Sequence, residues 1–220
     1  MQRTFVALLM GAMIAPSVLT AQDADKKVTG GGDLAPGWQM RIDPNASSGA
    51  PPKFVAMGSG FHATSGARAI YWRPADVGTG NYKVEATFTL TKPPGHAESY
   101  GLIFGGKDLT AANQNYFYFT LGGNGSYLIK HRAGDANNQI HTIADWTPNA
   151  AVAKPDASGK STDKLEVDVG AQKVNFLING KQVYSMDRAN AAGGTDGIAG
   201  IRVSHNLDVH IADFKVTQVK

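Results

Sequence analysis

The amino-acid sequence predicts an all-β protein of antiparallel strands, and two patterns carry this prediction. Apolar and polar side chains alternate over 165–169 and again over 174–178, with turns at Gly170-Ala171 and Asn179-Gly180. Alternation with period two that ends in Asn-Gly is typical of a hairpin with one buried face. Similar runs recur every 8 to 15 residues between Gly, Pro, Asn and Asp, and 26 glycines suit many tight turns. Many short, evenly spaced strands favour a sandwich or a barrel.

The individual strands follow from their own patterns. Residues 82–90 are apolar on one face only, which predicts a half-buried strand. Residues 116–119 are aromatic on both faces, which predicts a strand between the core and a second covered surface. Residues 109–115 could form one helical turn, and 60–66 a loop or short strand. The predicted strands, in chain order, are 53–57, 68–72, 82–90, 99–104, 116–121, 126–132, 139–143, the hairpin within 164–183, 200–204 and 208–216.

The N-terminal residues have the pattern of a secretory signal. Arg3 precedes an apolar run over 5–15, and small residues follow to Ala21, after which we predict cleavage. The apolar run is shorter than the about 20 residues that span a bilayer. We therefore expect an exported protein, periplasmic or extracellular, with a flexible lead-in over 22–37 and one domain over 38–220. It has no cysteine, so its own core must hold it together.

The charge pattern argues against two classes of partner. The formal net charge is +3, and Lys26-Lys27 is the only basic doublet. No run of Lys or Arg is interleaved with aromatic residues. Nucleic-acid binding needs a basic stripe, so we expect none. No later apolar stretch approaches membrane-spanning length, so we also expect no membrane span. Asn45 begins a glycosylation sequon, which matters only in a glycosylating host.

Seven segments carry a resemblance to a known fold family, namely 100–105, 115–119, 125–130, 164–167, 174–180, 200–203 and 213–216. Together they resemble the concanavalin A-like lectin/glucanase superfamily, and more narrowly the laminin-G-like and 3-keto-disaccharide hydrolase-like jelly rolls. The resemblance covers about 38–219 and implies a jelly roll of two packed antiparallel sheets, one of them concave, whose concave face binds or cleaves glycans. It implies little about activity, because a fold hosts many functions.

Alternation selects the candidate ligand-binding residues. Tyr118 lies on the polar face of its strand, and Lys130 and Arg132 lie on the polar face of the next. Arg202 points away from the apolar face of its own strand, and His205 follows at the strand end. Together they predict an aromatic and basic surface suited to a polyhydroxylated or acidic glycan.

A second candidate site is the segment with His62 and Trp72, where an aromatic face and polar groups come close in sequence. Trp72 in the core and His62 at the surface is the structural alternative. The leading function is carbohydrate binding without covalent chemistry. The alternatives are a glycoside hydrolase or polysaccharide lyase with His62 or His205 as general base, and a structural or adhesive envelope module.

Other candidate chemistry is weaker. Glu166 and Asp168 share a face as in laminarinase-type members, but the third carboxylate of that motif is replaced by a turn, so we predict a solvated face. His205, Asp208 and His210 could ligate a metal, but a turn at Asn206 explains them better. We assign no cofactor. Calcium is possible but unassigned, and its candidate ligands are Asp108, Asp135 and Asp213.

Overall fold

A computed structural model describes residues 34–44, 51–92 and 98–219. The predicted signal peptide, most of the predicted lead-in and the Asn45 sequon lie outside these residues. Fourteen strands account for most of the described chain. They are β1 (Gln39–Ile42), β2 (Lys53–Met57), β3 (Gly60–Ser65), β4 (Ala69–Gly78), β5 (Tyr82–Lys92), β6 (Ser99–Lys107), β7 (Asn115–Gly122), β8 (Ser126–Arg132), β9 (Ile140–Pro148), β10 (Ser161–Val169), β11 (Lys173–Ile178), β12 (Lys181–Asp187), β13 (Gly197–Val203) and β14 (Leu207–Gln218).

The strands form two antiparallel sheets of seven strands each. Sheet I has the order β1-β4-β13-β6-β7-β8-β9, and sheet II has the order β12-β11-β10-β5-β14-β3-β2. The predicted all-β, two-sheet architecture is confirmed. Among the described residues, no helix is long and apolar enough to cross a membrane.

The hairpin that led the sequence analysis is present, and its predicted apolar face is buried. Leu165 pairs with Ile178 and Val169 pairs with Val174, and all four side chains are buried. Asn179 and Gly180 have φ values of 51° and 76°. Positive φ at both central residues matches the right-handed twist of the flanking strands, which is why Asn-Gly is favoured there.

Apolar side chains fill two regions. The main core lies between the sheets and contains the inward faces of both, including Phe88, Phe119 and Phe176. A second cluster lies on the other face of sheet I, which we call the outer face of sheet I. It contains Ile70, Trp72, Ile103, Leu109, Tyr116, Tyr118 and Leu128. The prediction that β7 is covered on both faces is therefore confirmed.

The structure also departs from the prediction at some strands. Strand β1 was not predicted, β4 continues to Gly78 and β9 continues to Pro148. Residues 109–114 form turns rather than a helical turn. Residues 60–65 form the strand β3, where a Cβ on Gly60 would meet the Ile211 carbonyl oxygen at 2.2 Å. The sequence left a loop and a short strand open for this segment, and the strand is what forms. The close approach of two strands is what requires glycine at this position.

Candidate binding site

A buried cluster of charged side chains lies on the outer face of sheet I. Asp43 follows β1 and is 4% exposed. Its carboxylate accepts a hydrogen bond from Arg202 Nη2 at 2.8 Å and pairs with Arg132 Nη2 at 3.4 Å. Arg68 Nη1 lies 3.7 Å from the same oxygen. Three guanidinium groups therefore share one carboxylate.

The charge states in this cluster follow from opposing effects. Burial alone would raise the pKa of Asp43, but Arg202, Arg132 and Arg68 together hold that pKa below its usual range. Burial also works against the charged form of Arg202, yet Asp43 and two tyrosines raise the pKa of that guanidinium. The fold therefore favours the charged forms of both Asp43 and Arg202, and their attraction offsets the desolvation of the buried pair.

The two tyrosines of β7 complete the cluster. Arg202 Nη1 donates to the Tyr116 hydroxyl at 2.9 Å, and its guanidinium lies 4.7 Å from the centre of the Tyr118 ring. Burial raises the pKa of Tyr116 to about 12 and raises the pKa of Tyr118 as well. Both hydroxyls therefore stay protonated at neutral pH and keep their capacity to donate hydrogen bonds.

A polar pocket of about 180 Å³ opens beside this cluster, and we call it the sheet I pocket. Clefts that hold drug-sized ligands measure about 300–1,000 Å³, so this pocket suits one small polar unit. It is lined by Arg68, Glu98, Ser99, Tyr118, Leu128, Lys130, Trp146, Arg202 and Ser204.

Lys130 and Trp146 both contribute accessible surface to the pocket. Lys130 pairs with Tyr118 across β7 and β8, so the two side chains are neighbours on the same face of the sheet. Trp146 comes from the edge strand β9 and is 37% exposed. An exposed indole next to hydrogen-bonding groups offers an apolar face and polar contacts to the same ligand.

His205 lies at the margin of the pocket. Its Nδ1 is 3.0 Å from Glu98 Oε1, and Glu98 itself lines the pocket. A turn follows, in which Asn206 has a positive φ of 57°, as the sequence predicted. The histidine is therefore oriented by a carboxylate, which is the arrangement that general bases use.

The structure brings most of the predicted ligand-binding residues to one place. Tyr118, Lys130 and Arg202 line the sheet I pocket. Arg132 is 1% exposed, pairs with Asp43 and is not among the residues that line the pocket. Trp72 belongs to the apolar cluster on the same face and is buried, so its ring packs against protein rather than solvent.

His62 lies elsewhere. It belongs to β3 in sheet II, where it is fully buried and its Nε2 is in contact with the carboxylate of Asp208. His210 pairs with His62 across β3 and β14, and their ring centres are 6.2 Å apart. His62 is therefore not part of the pocket that contains the other candidates.

The carboxylates considered from the sequence have structural partners. Lys83 Nζ lies 2.8 Å from Glu166 and 3.6 Å from Asp168 on the outer face of sheet II.

The candidate calcium ligands were Asp108, Asp135 and Asp213. Asp135 accepts two hydrogen bonds from Arg41, each of 2.9 Å, and Asp108 accepts one from Asn113. Asp213, the third calcium candidate, has a positive φ of 55° within β14. Within the part of the chain that the structure describes, no group of three or more His, Asp or Glu is placed to hold a metal ion.

Sequence reasoning missed several residues of this site, among them Asp43, Arg68, Glu98 and Trp146. Asp43 stands before Pro44 and reads as an ordinary turn residue. Trp146 lay beyond the predicted end of β9, although continued alternation past Ile143 was a usable signal. Contacts between distant segments, such as Asp43 with Arg202, leave no local pattern.

His131, which does not line the pocket, has a pKa shifted by its surroundings. The His131 ring stacks on Phe117 with 4.4 Å between ring centres, and its Nε2 lies 3.2 Å from the Asn115 side-chain oxygen. Burial and the nearby His141 lower the pKa of His131. The folded protein therefore favours the neutral ring.

No protein-family model and no curated protein matches this sequence. Solved structures do match it. The chain is 12% identical to the carbohydrate binding module CBM66 from Bacillus subtilis, covering 84% of this chain and 98% of that one, with a TM-score of 0.58. A Bacillus subtilis protein of unknown function with a galectin-like fold gives 16% identity, 82% and 89% coverage, and a TM-score of 0.58.

A third similar structure is a GH16 protein of the Bacteroides ovatus mixed linkage glucan PUL, solved in complex with a product. It gives 10% identity, 81% and 94% coverage, and a TM-score of 0.57. Identities this low carry information about the fold alone. Together with two seven-stranded antiparallel sheets, they show that the chain has the concanavalin A-like jelly-roll sandwich fold.

Proposed function

We propose that the protein is an exported carbohydrate-binding module that holds one sugar unit in the sheet I pocket. One observation carries the proposal: an exposed indole, Trp146, adjoins a small pocket lined by a tyrosine and several charged side chains. Sugars present an apolar C–H face and a ring of hydroxyls, so they need both kinds of contact at once. The fold supports the proposal, because it is similar to that of the carbohydrate binding module CBM66.

In this proposal each accessible residue has a separate role. Trp146 covers the apolar face of the sugar, while Lys130 and the Tyr118 hydroxyl bind its oxygens. Arg202 is held by Asp43 and Tyr116, so it presents a fixed charge rather than a flexible one. A pre-oriented group loses little conformational entropy when a ligand binds.

A glycan array followed by calorimetric titration tests the proposal, with product detection run on the same mixtures. We expect at least one oligosaccharide to bind without being cleaved. Trp146→Ala should abolish most of that binding, and Lys83→Ala, on the opposite sheet, should leave it unchanged. Binding that survives Trp146→Ala would place the ligand elsewhere.

A glycan-active hydrolase or lyase is the second candidate, because the His205–Glu98 pair lies at the edge of the same pocket. In that case His205 would act as general base, and His205→Gln would lower turnover by about 100-fold or more. No released product with any glycan that binds would exclude this candidate.

Export is part of the proposal and has its own test. Cell fractionation and mass measurement of the released protein should find a chain that starts after Ala21. A chain that stays in the cytoplasm with its N-terminus intact would contradict it.

A further inference from the structure

The sheet I pocket adjoins an excess of positive charge. Arg68, Arg132 and Arg202 have Asp43 as their shared carboxylate, which leaves a surplus of two positive charges. Lys130 adds another and, among the described residues, has no carboxylate partner. Glu98 is the single carboxylate in the described pocket lining.

The short segments next to Asp43 and Glu98 in the sequence contain no carboxylate that could balance this charge. Residues 45–50 follow Asp43, residues 93–97 precede Glu98, and neither segment contains an Asp or a Glu. Glu98 is itself paired with His205 at 3.0 Å. Because buried charge without a counter-charge is costly, a bound anion would be favoured beside these guanidinium groups.

Hydrogen-bond donors accompany the surplus charge. Arg68 Nε is buried and has no hydrogen-bond partner among the described residues. Arg202, 3% exposed, lines the pocket and is held rigidly by Asp43. Charge-assisted hydrogen bonds from such groups to an oxyanion are about twice as strong as those between neutral groups.

We infer that the sheet I pocket selects an acidic sugar, whose carboxylate or sulfate group lies between Lys130 and the Arg68 and Arg202 side chains. This inference rests on the proposed function and narrows its ligand class. The volume of about 180 Å³ leaves room for one such unit. Neighbouring units of the glycan would lie outside the pocket.

The test compares matched pairs of oligosaccharides by calorimetric titration. Oligomers of galacturonate, glucuronate and mannuronate are each measured beside the same oligomer with its carboxyl groups reduced to alcohols. A sulfated oligosaccharide is a separate arm, and linear polyphosphate is a control for unspecific attraction of anions. The variants are Lys130→Gln, Lys130→Arg and, as a control on sheet II, Lys83→Gln.

We expect at least one acidic oligomer to bind about 10-fold or more tightly than its reduced partner. Lys130→Gln should remove most of that difference, Lys130→Arg should restore much of it, and Lys83→Gln should have no effect. The uronate and sulfate arms identify which anionic group is preferred.

Each other outcome has a distinct meaning. Equal binding of acidic and reduced oligomers would overturn the acidic-sugar inference and leave the proposed function in place. Polyphosphate binding as tight as the best uronate would also overturn it. If the natural protein binds none of the oligosaccharides, the proposed function itself is overturned.

Discussion

Asp43 is the residue on which the arrangement of the site depends most, so its replacement is the sharpest test of the structure. Asp43→Asn keeps the shape of the side chain and removes its charge. Arg202 at 2.8 Å, Arg132 at 3.4 Å and Arg68 at 3.7 Å then lose their shared counter-charge while they stay buried or half-buried. Breaking one buried ion pair by removing a partner costs about 3–5 kcal/mol.

The expected change in melting temperature follows from this range. For a chain of this size, 1 kcal/mol corresponds to about 2–4 °C, so Asp43→Asn should lower the melting temperature by roughly 6–20 °C. Thermal unfolding followed by circular dichroism measures it. Asp168→Asn is the matched control, because that carboxylate lies in a half-exposed pair with Lys83, and its loss should cost no more than about 1 kcal/mol.

The pH dependence of Asp43 provides a second measurement. Its pKa is lower in the folded protein than in the unfolded chain, so the folded state favours the carboxylate. Its stabilisation is therefore present above about pH 4 and is lost as the pH falls through the folded-state pKa. The gap between the natural protein and Asp43→Asn should narrow below about pH 4. A variant that melts within about 2 °C of the natural protein at pH 7 would refute the reasoning.

Three further predictions follow. Trp146→Ala should weaken glycan binding by about 1–3 kcal/mol in calorimetry, with little change in melting temperature because the indole is partly exposed. Glu166→Gln with Asp168→Asn should leave glycan binding unchanged, since both side chains pair with Lys83 on sheet II; a 100-fold loss would contradict this. Because the fold lowers the pKa of His131, the unfolded chain takes up a proton first, and stability should fall as the pH drops through about 6.5. In thermal melts, His131→Phe should weaken the dependence of the melting temperature on pH in this range. An unchanged dependence would show that another group causes it.

The fold was largely predictable because its signals are local. The alternation over 165–169 and 174–178 predicted which side chains of one hairpin face the core, and those side chains are buried in the structure. Strands β2 and β8 also begin and end as predicted. The sequence did not decide between a loop and a strand for β3. Glycine is needed at position 60 because the backbone of Ile211 packs closely against it, and Ile211 is about 150 residues away in sequence, so no local pattern indicates this contact.

The site was only partly predictable for the same reason. Alternation correctly placed Tyr118, Lys130 and Arg202 on one face, because a strand determines which way its side chains point. It could not show that Arg202 is buried, since burial depends on Asp43 arriving from β1. It also grouped His62 with Trp72 by closeness in sequence, whereas the two residues lie in different sheets.

This partial burial decides which substitutions are informative about binding. Arg202 and Arg132 lie within the Asp43 cluster, so replacing either one removes a scaffold contact and a candidate ligand contact together. A loss of affinity in such a variant would follow equally from a missing contact and from a disturbed sheet. Lys130 and Trp146 have no part in the Asp43 cluster, and both line the same pocket. Variants of these two residues therefore separate recognition from stability, and a drop in affinity at constant melting temperature in both would locate the ligand in the sheet I pocket.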